Sequence, residues 1–396
     1  MSKIRIICYA IVLLSMGHAA GVPAASEITA PTGSMAPEIT AGGDGDLYLS
    51  WLEPDGKSHA LRYASFDDDG WSEVRTVAAG DDWVVNWADW PSVTAAGNGV
   101  LFANWRRRIG ANVLAYEIRM ALSHDGGKSW GTSFTLNDDT TETQHGLVSI
   151  VPGQSRLDII WLDGRRTATS PGHGEAMALR HTVVNADGSV APSTELDGLT
   201  CECCQTSLVE VPGGLLAGYR DLTHDAIRDI VVRDNTGGSW SEARAVHEDN
   251  WEFDGCPVNG PALDARGSTV AAAWFTAASD KPQVLVALST NGGTTFGTPI
   301  RVDDKRSLGR TDVLILDDDE TIVSWTERKR SSSRLMLRRI HADGTAGDAQ
   351  VLREIDVVSN GFPRMLRRGT DIVFAWTEKA GRAGRVRAIV IPEDQL

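Results

Sequence analysis

The sequence lacks an excess of positive charge, a linker segment and a second long hydrophobic run. Its 396 residues carry a formal net charge of −15, which excludes nucleic acid as a partner because phosphate backbones attract basic proteins. No Pro- and Ser-rich stretch divides the chain, so we expect one domain. Beyond the N-terminal segment no apolar stretch is long enough to cross a bilayer, and we expect no membrane span.

The first 25 residues have the composition of an export signal. Lys3 and Arg5 precede an apolar run that extends from Ile6 to Met16, and small residues follow it. This run is too short to span a membrane and is typical of a removable signal peptide. We therefore expect a signal peptide at residues 1–25 and a mature protein of residues 26–396 in the periplasm or outside the cell.

A hydrophobic segment that ends in an aromatic residue recurs seven times, at intervals of 51 to 58 residues. The aromatic residues are Trp51, Trp105, Trp161, Tyr219, Trp274, Trp325 and Trp376. Each interval has room for four short antiparallel strands, and such a period is typical of propeller blades. The spacing therefore predicts an all-β fold, a seven-bladed β-propeller of four-stranded antiparallel blades. A six-bladed ring is the alternative.

The last repeat contains only three predicted strands, of which the third covers residues 385–391. A missing outer strand would leave an open sheet edge, and open edges promote aggregation. We therefore expect residues 27–30, at the mature N-terminus, to pair with the last blade. This pairing would close residues 26–396 into a single ring.

Gly-rich acidic turns follow six of the seven aromatic residues. The two best-formed turns are Ser-His-Asp-Gly-Gly-Lys-Ser-Trp at residues 123–130 and Ser-Thr-Asn-Gly-Gly-Thr-Thr-Phe at residues 289–296. A carboxylate or amide in such a turn accepts backbone N–H bonds, and the glycines permit positive φ. These turns resemble the Asp-box, or BNR repeat, of the sialidase superfamily. The resemblance covers nearly the whole mature chain and implies a sialidase-like propeller, in which the motif marks the fold and not the active site.

The catalytic residues that the resemblance would imply are missing from the chain. Sialidases of this fold use an Arg-Ile-Pro segment, three arginines, an Asp acid/base and a late Tyr nucleophile. The mature region contains no Arg-Ile-Pro, and the last tyrosine is Tyr219, in a predicted strand of the fourth repeat. We therefore interpret the chain as a divergent member in which ordinary exo-sialidase activity is not expected.

The four cysteines of the mature chain fall in two links that enter neighbouring blades on one rim. They are Cys201, Cys203, Cys204 and Cys256. One interpretation is a disulfide between Cys256 and a cluster cysteine, with a second bridge among the rest, since exported proteins form disulfides. Another is a copper or zinc site, because thiolates favour soft metals. A redox or nucleophilic role is the third.

The same rim carries candidate catalytic and ligand-binding side chains. The catalytic candidates are Asp163, Arg165, Arg220, Asp221 and Arg228, and the ligand-binding candidates are Trp87 and Trp251. Arginine can clamp an anionic or hydroxylated ligand, aspartate can carry a proton, and tryptophan can form a wall for a sugar ring. Ion pairs that tie blades together and tryptophans that pack between blades are the structural alternatives.

The sequence therefore predicts an exported ligand-binding or scaffold protein, in which the cysteine cluster either binds copper or zinc or forms disulfides. Its expected partner is a small molecule, a glycan or an envelope protein. The alternative is a glycoside hydrolase of sialidase-like ancestry that uses rim Asp and Arg residues.

Overall fold

The computed structural model describes residues 27–168, 177–317, 319–330, 332–355 and 361–396. The predicted signal peptide, residues 1–25, lies outside the described residues. Within them the chain forms seven β-sheets and three 3-10 helices, at Arg165–Ala168, Ala278–Asp280 and Glu393–Gln395. None of the described helices is long and apolar enough to cross a membrane.

Each sheet is one antiparallel blade. Blade one contains β2 (Met35–Ala41), β3 (Leu47–Asp55), β4 (Ser58–Asp67), β5 (Gly70–Trp71) and β6 (Arg75–Gly80), and blade two contains β7 (Ser92–Ala95), β8 (Leu101–Arg108), β9 (Tyr116–Ser123) and β10 (Phe134–Thr135). Blade three contains β11 (His145–Pro152), β12 (Arg156–Asp163), β13 (Met177–Asn185) and β14 (Thr194–Thr200). Blade four contains β15 (Ser207–Val211), β16 (Gly214–Arg220), β17 (Ile230–Asp234) and β18 (Arg244–Ala245). The short strand β5 is an addition to the four strands of blade one.

The remaining blades have the same layout. Blade five contains β19 (Ala262–Arg266), β20 (Thr269–Thr276), β21 (Gln283–Ser289) and β22 (Ile300–Arg301). Blade six contains β23 (Ser307–Ile315), β24 (Thr321–Lys329), β25 (Ser332–Ile340) and β26 (Gln350–Ile355). Blade seven contains β27 (Arg364–Arg368), β28 (Asp371–Ala380), β29 (Ala383–Pro392) and β1 (Ile28–Thr29). First strands of neighbouring blades contact one another, for example β2 with β7, β15 with β19, and β27 with β2. The predicted seven-bladed propeller is confirmed.

The repeated aromatic residues lie between the blades. Each lies within the second strand of its blade and packs in a core cluster shared with the preceding blade. Trp161 packs with Phe102 of blade two, and Trp274 with Leu216 of blade four. Trp51 of blade one packs with Val373 of blade seven. The period of the repeat therefore reflects one aromatic side chain at each blade interface. Aromatic residues occur there because they bury a large apolar surface per residue.

The ring closes in blade seven, where both ends of the chain share one sheet. In β1, Ile28 lies opposite Ala388 and Thr29 lies opposite Arg387 of β29. Beyond the strand, the Ala30 N–H donates to the carbonyl oxygen of Val386 at 3.0 Å. The N-terminal segment thus covers the outer edge of the last blade.

The two well-formed acidic turns have matching hydrogen bonds. Asp125 accepts the Ser129 N–H at 2.9 Å, and Asn291 accepts the Thr295 N–H at 3.0 Å. Both residues hold tight turns at the outside of the ring. They therefore act in the fold, as the resemblance implied.

Candidate functional site

The cysteine cluster contains one disulfide and two free thiols. Cys203 and Cys256 are bonded, with their Cα atoms 6.1 Å apart, and the bond joins the link before blade four to the link before blade five. Cys201 and Cys204 are free and each is 1% exposed. The structure thus contains the expected bond between Cys256 and a cluster cysteine, and it identifies the partner as Cys203.

The sulfur atoms are close enough together for a metal site to be considered. The Sγ atoms of Cys201, Cys203 and Cys204 all lie within 4.8 Å of one another. A disulfide sulfur is not a thiolate ligand, however, so a site built from all four cysteines requires reduction of the Cys203–Cys256 bond.

Two buried arginines surround the thiols. Arg220 is 1% exposed and donates to the carbonyl oxygens of Asn259 at 2.8 Å and Phe275 at 2.7 Å. Among the described residues no carboxylate forms an ion pair with it. Arg228 donates to the carbonyl oxygen of Phe253 at 2.9 Å and to Glu202 at 3.2 Å. Both guanidinium groups are therefore enclosed, with much of their donor capacity taken by the protein.

The surroundings shift the pKa values of the two thiols in opposite directions. A hydrogen bond from Cys204, together with the charges of Arg220 and Arg228, lowers the pKa of Cys201 to about 7. Burial, and the charge on Cys201, raise the pKa of Cys204. Cys201 therefore takes the negative charge of the pair.

Asp163 and Arg165 form an ion pair in which the carboxylate is buried and the guanidinium is partly exposed. Asp163 is fully buried; its Oδ1 accepts from Arg165 Nε at 2.7 Å and its Oδ2 accepts from Trp161 Nε1 at 3.0 Å. Arg165 also contacts Asp138 at 2.7 Å. This arrangement supports the structural alternative for Asp163, because a fully buried, fully bonded carboxylate cannot reach a substrate. The ion pairs of Arg165 with Asp163 and Asp138 support the same alternative for Arg165.

His145 belongs to the same group of ion pairs, and no motif in the sequence marked it as a candidate site residue. Its Nε2 lies 3.0 Å from Asp139, and its Nδ1 lies 3.0 Å from the Tyr116 carbonyl oxygen. Burial favours the neutral ring, but the hydrogen bond to Asp139 and the charge of Asp163 raise the pKa of His145. Asp139, His145 and Asp163 have metal-ligand spacing, yet both ring nitrogens face protein acceptors, which favours an ion-paired imidazolium.

Asp221 and Trp251 lie beside the cysteine cluster. Asp221 is partly exposed, and burial raises its pKa to about 6. Trp251 is 6% exposed and packs between Phe253, at 5.4 Å, and the guanidinium of Arg220, at 4.9 Å. The structure therefore places Trp251 in the packing under the link and not in an open aromatic wall.

Trp87, in contrast, is 37% exposed and belongs to an aromatic mouth, which we define as Trp87, Trp90, Phe362 and Arg310. Phe362 stacks on Trp87 at 6.1 Å between ring centroids and lies 5.2 Å from Trp90. The Arg310 guanidinium lies 5.0 Å from the Trp87 ring centroid. Trp90 and Phe362 also line a central cavity of about 280 Å³, bounded by the first strands of the blades.

Arg310 is the cation of this mouth, and it has no acidic partner among the described residues. Its Nη1 is buried without a hydrogen-bond partner, and its backbone has a positive φ of 57°. Burial lowers the pKa of Arg310 to about 10, which leaves the side chain charged at neutral pH. A strained backbone that holds a cation without an acidic partner beside an exposed aromatic ring is typical of a binding site.

A second space, the rim pocket, lies between the aromatic mouth and the disulfide. It has a volume of about 170 Å³ and is lined by Trp87, Gln144, Cys203 and Val258 among others. The structure therefore brings Trp87 next to the cysteine cluster, with Arg220, Asp221, Arg228 and Trp251 around the cluster. Asp163 and Arg165 belong instead to the ionic group of His145.

The central cavity contains a buried group of two carboxylates and one arginine. Glu38 lies 2.9 Å from Arg364 Nε, and Asp312 lies 3.9 Å from Arg364 Nη1. One guanidinium cannot neutralise two carboxylates. Burial raises the pKa of Glu38 to about 7 and also raises that of Asp312.

We expect this group to make the fold less stable as the pH rises. The stability from protonated Glu38 is fully present below pH 4.5, its unfolded pKa, and is lost as the pH rises through about 7. The effect is roughly 3 kcal/mol at most. Urea unfolding at pH 5 and pH 8 should therefore show that Glu38→Gln gains stability relative to the wild type at the higher pH. Glu73→Gln, at an exposed position, is the control, and an equal effect of Glu38→Gln at both pH values contradicts the assignment.

Comparisons with known proteins show the fold of this chain and leave its activity open. No protein-family model and no curated protein sequence matches it. A protein of unknown function from Dyadobacter fermentans is 14% identical over 94% of this chain and 99% of that chain, with a TM-score of 0.51. The NanB sialidase of Streptococcus pneumoniae is 9% identical, with coverages of 94% and 93% and a TM-score of 0.50. A PL25 ulvan lyase bound to -[GlcA(1-4)Rha3S]- is 13% identical, with coverages of 92% and 95% and a TM-score of 0.54.

Proposed function

We propose, from the premise that this chain is a divergent sialidase-like propeller, that it is an exported protein which binds an anionic saccharide at the aromatic mouth. The unpaired Arg310 guanidinium beside the exposed Trp87 ring carries the proposal. Arginine binds a carboxylate or sulfate through two hydrogen bonds, and a tryptophan face packs against a sugar ring. The ligand therefore combines a ring with a negative charge.

The ligands of two fold relatives belong to this class. The NanB sialidase was crystallised in complex with an ethanesulfonate that carries a chlorobenzyl ring, and the ulvan lyase is bound to a glucuronate and a sulfated rhamnose. Both ligands carry an anionic group next to a ring.

The disulfide supports export. Because it occupies two of the four cysteines, it also favours the aromatic mouth over a four-cysteine metal site as the place where a ligand binds. A disulfide with one exposed cysteine, Cys256, is typical of a protein in an oxidising compartment. Copper or zinc binding by all four cysteines would require that bond to be reduced first.

Titration calorimetry with tetragalacturonate and its methyl ester tests the proposal, since esterification removes the negative charges and keeps the sugar rings. We expect the wild type to bind the acid at least tenfold more tightly, which corresponds to about 1.4 kcal/mol. Arg310→Gln should remove this preference, and Trp87→Ala should weaken both probes while Trp87→Phe restores part of the affinity. Arg382→Gln, at the exposed turn between β28 and β29, is the charge control.

Two results would overturn the proposal. Equal binding of the acid and the ester would remove the role of Arg310. Cleavage of the probe that Asp221→Asn abolishes would instead assign the chain to the glycoside hydrolase alternative.

A further inference from the structure

The disulfide at the rim pocket lies in front of a buried pair of thiols. Cys256 is exposed, and Cys203 forms part of the rim-pocket wall. Behind them Cys201 and Cys204 are each 1% exposed. A bond that only joins two links needs no second pair of sulfurs behind it, so the joining of the links does not explain the buried pair.

Cys201 is positioned to react with both of its neighbours. Its Sγ lies 4.0 Å from the Sγ of Cys203, which is already bonded to Cys256. Its Sγ also lies 2.9 Å from the Sγ of Cys204. Thiol–disulfide exchange requires one sulfur to approach a disulfide sulfur, and Cys201 occupies that position between the exposed bond and the buried thiol.

The surroundings favour a thiolate at Cys201. The groups that face it are the thiol of Cys204 and the guanidinium groups of Arg220 and Arg228, with Glu202 behind Arg228. Arg220 has no carboxylate partner among the described residues, so a thiolate supplies the negative charge that this buried cation lacks. The attacking species in exchange is the thiolate and not the thiol.

We propose that the four cysteines form a thiol–disulfide relay, in which Cys201 moves the bond between two pairs of cysteines. The exposed pair is the exposed Cys256 with the half-buried Cys203, and the buried pair is Cys201 with Cys204. The exposed pair then exchanges with an external disulfide or dithiol at the rim pocket. The relay is independent of saccharide binding at the aromatic mouth.

The exchange proceeds in two balanced steps. The Cys201 thiolate attacks Cys203, the Cys203–Cys256 bond breaks, and Cys256 leaves as a thiolate. Cys204 then loses its proton to that thiolate and attacks Cys201, so that Cys203 leaves in turn. The chain keeps one disulfide and two thiols throughout, and no oxidant or reductant is consumed.

The exposed pair that results is a dithiol. Cys256 attacks an external disulfide and releases one thiol, and Cys203 then attacks the mixed disulfide and releases the second. The external disulfide gains two electrons and the chain gains a second disulfide. An external dithiol reverses the process.

Alkylation of the native full chain, prepared with one disulfide and two thiols, tests the relay. The probe is N-ethylmaleimide, and peptide mapping after an acid quench locates the labels and the remaining bond. We expect labels on Cys203 and Cys256 together with a Cys201–Cys204 bond, because the maleimide traps the exposed dithiol. This measurement uses only the wild type, so it does not require any variant to fold.

Two variants separate the steps. Cys201→Ser should slow labelling at least tenfold, since Cys204 stays buried and the Cys203–Cys256 bond stays intact. Cys204→Ser should allow only the first step and give a label on Cys256 with a Cys201–Cys203 bond. Labels on Cys201 or Cys204 with an intact Cys203–Cys256 bond, no native labelling of the wild type, or stoichiometric copper or zinc on the isolated chain would each overturn the relay.

Discussion

A chain that begins at Met35 is expected to unfold at a much lower urea concentration than one that begins at Glu27. The shorter chain lacks β1, in which Ile28 is 8% exposed, and lacks the backbone bonds that this segment makes with β29. Loss of one buried isoleucine and several net hydrogen bonds costs about 3–5 kcal/mol. The cost arises because the two ends of the chain complete one blade.

The same truncation should also change the association state, because it exposes the edge of β29. Size-exclusion chromatography would show the truncated chain as a larger species, whereas the chain from Glu27 is the matched control. Ile28→Ala, which keeps the strand, should cost about 2–3 kcal/mol without association. Equal urea midpoints for the two chain lengths would show that the N-terminal strand does not stabilise the ring.

Gly260→Ala is expected to destabilise the protein by about 3 kcal/mol and to hinder formation of the disulfide. A Cβ at position 260 would lie 1.9 Å from the carbonyl oxygen of Gln205, a backbone atom that cannot move aside cheaply. The Gln205 side chain accepts the Gly260 N–H at 3.1 Å. This close approach brings the link that contains Cys256 against the link that contains Cys203.

Urea unfolding and the fraction of chains with a Cys203–Cys256 bond measure the two effects of Gly260→Ala. Gly237→Ala is the control, because a Cβ there meets nothing within 4 Å. If both substitutions cost the same and leave the bond intact, the approach of the two links is not what positions the cysteines.

The blades were predictable because each repeat contains its own evidence. The second strand of every blade contains an aromatic residue that packs against the preceding blade, so the spacing of Trp161 and Trp274 directly reflects the spacing of the interfaces. The acidic turns add an independent signal, since Asp125 and Asn291 make the same turn in different blades.

The site was less predictable, because burial depends on residues that other blades supply. The sequence grouped Asp163 with the rim candidates, but the structure gives its oxygen atoms to Arg165 and Trp161. Arg310 and Phe362 belong to blades six and seven, and no spacing connected them to Trp87. The sequence could therefore indicate which segments share a rim but not which side chains on it are exposed.

The redox state of the four cysteines distinguishes most directly between a thiol–disulfide relay and a metal centre on this rim. The measurement is thiol counting before and after denaturation, with metal analysis, on protein isolated from the oxidising compartment and quenched in acid. We predict one disulfide and two thiols per chain, with no stoichiometric metal. Four thiols with bound copper or zinc would show that the rim is a metal centre, and would contradict both the disulfide and the relay built on it.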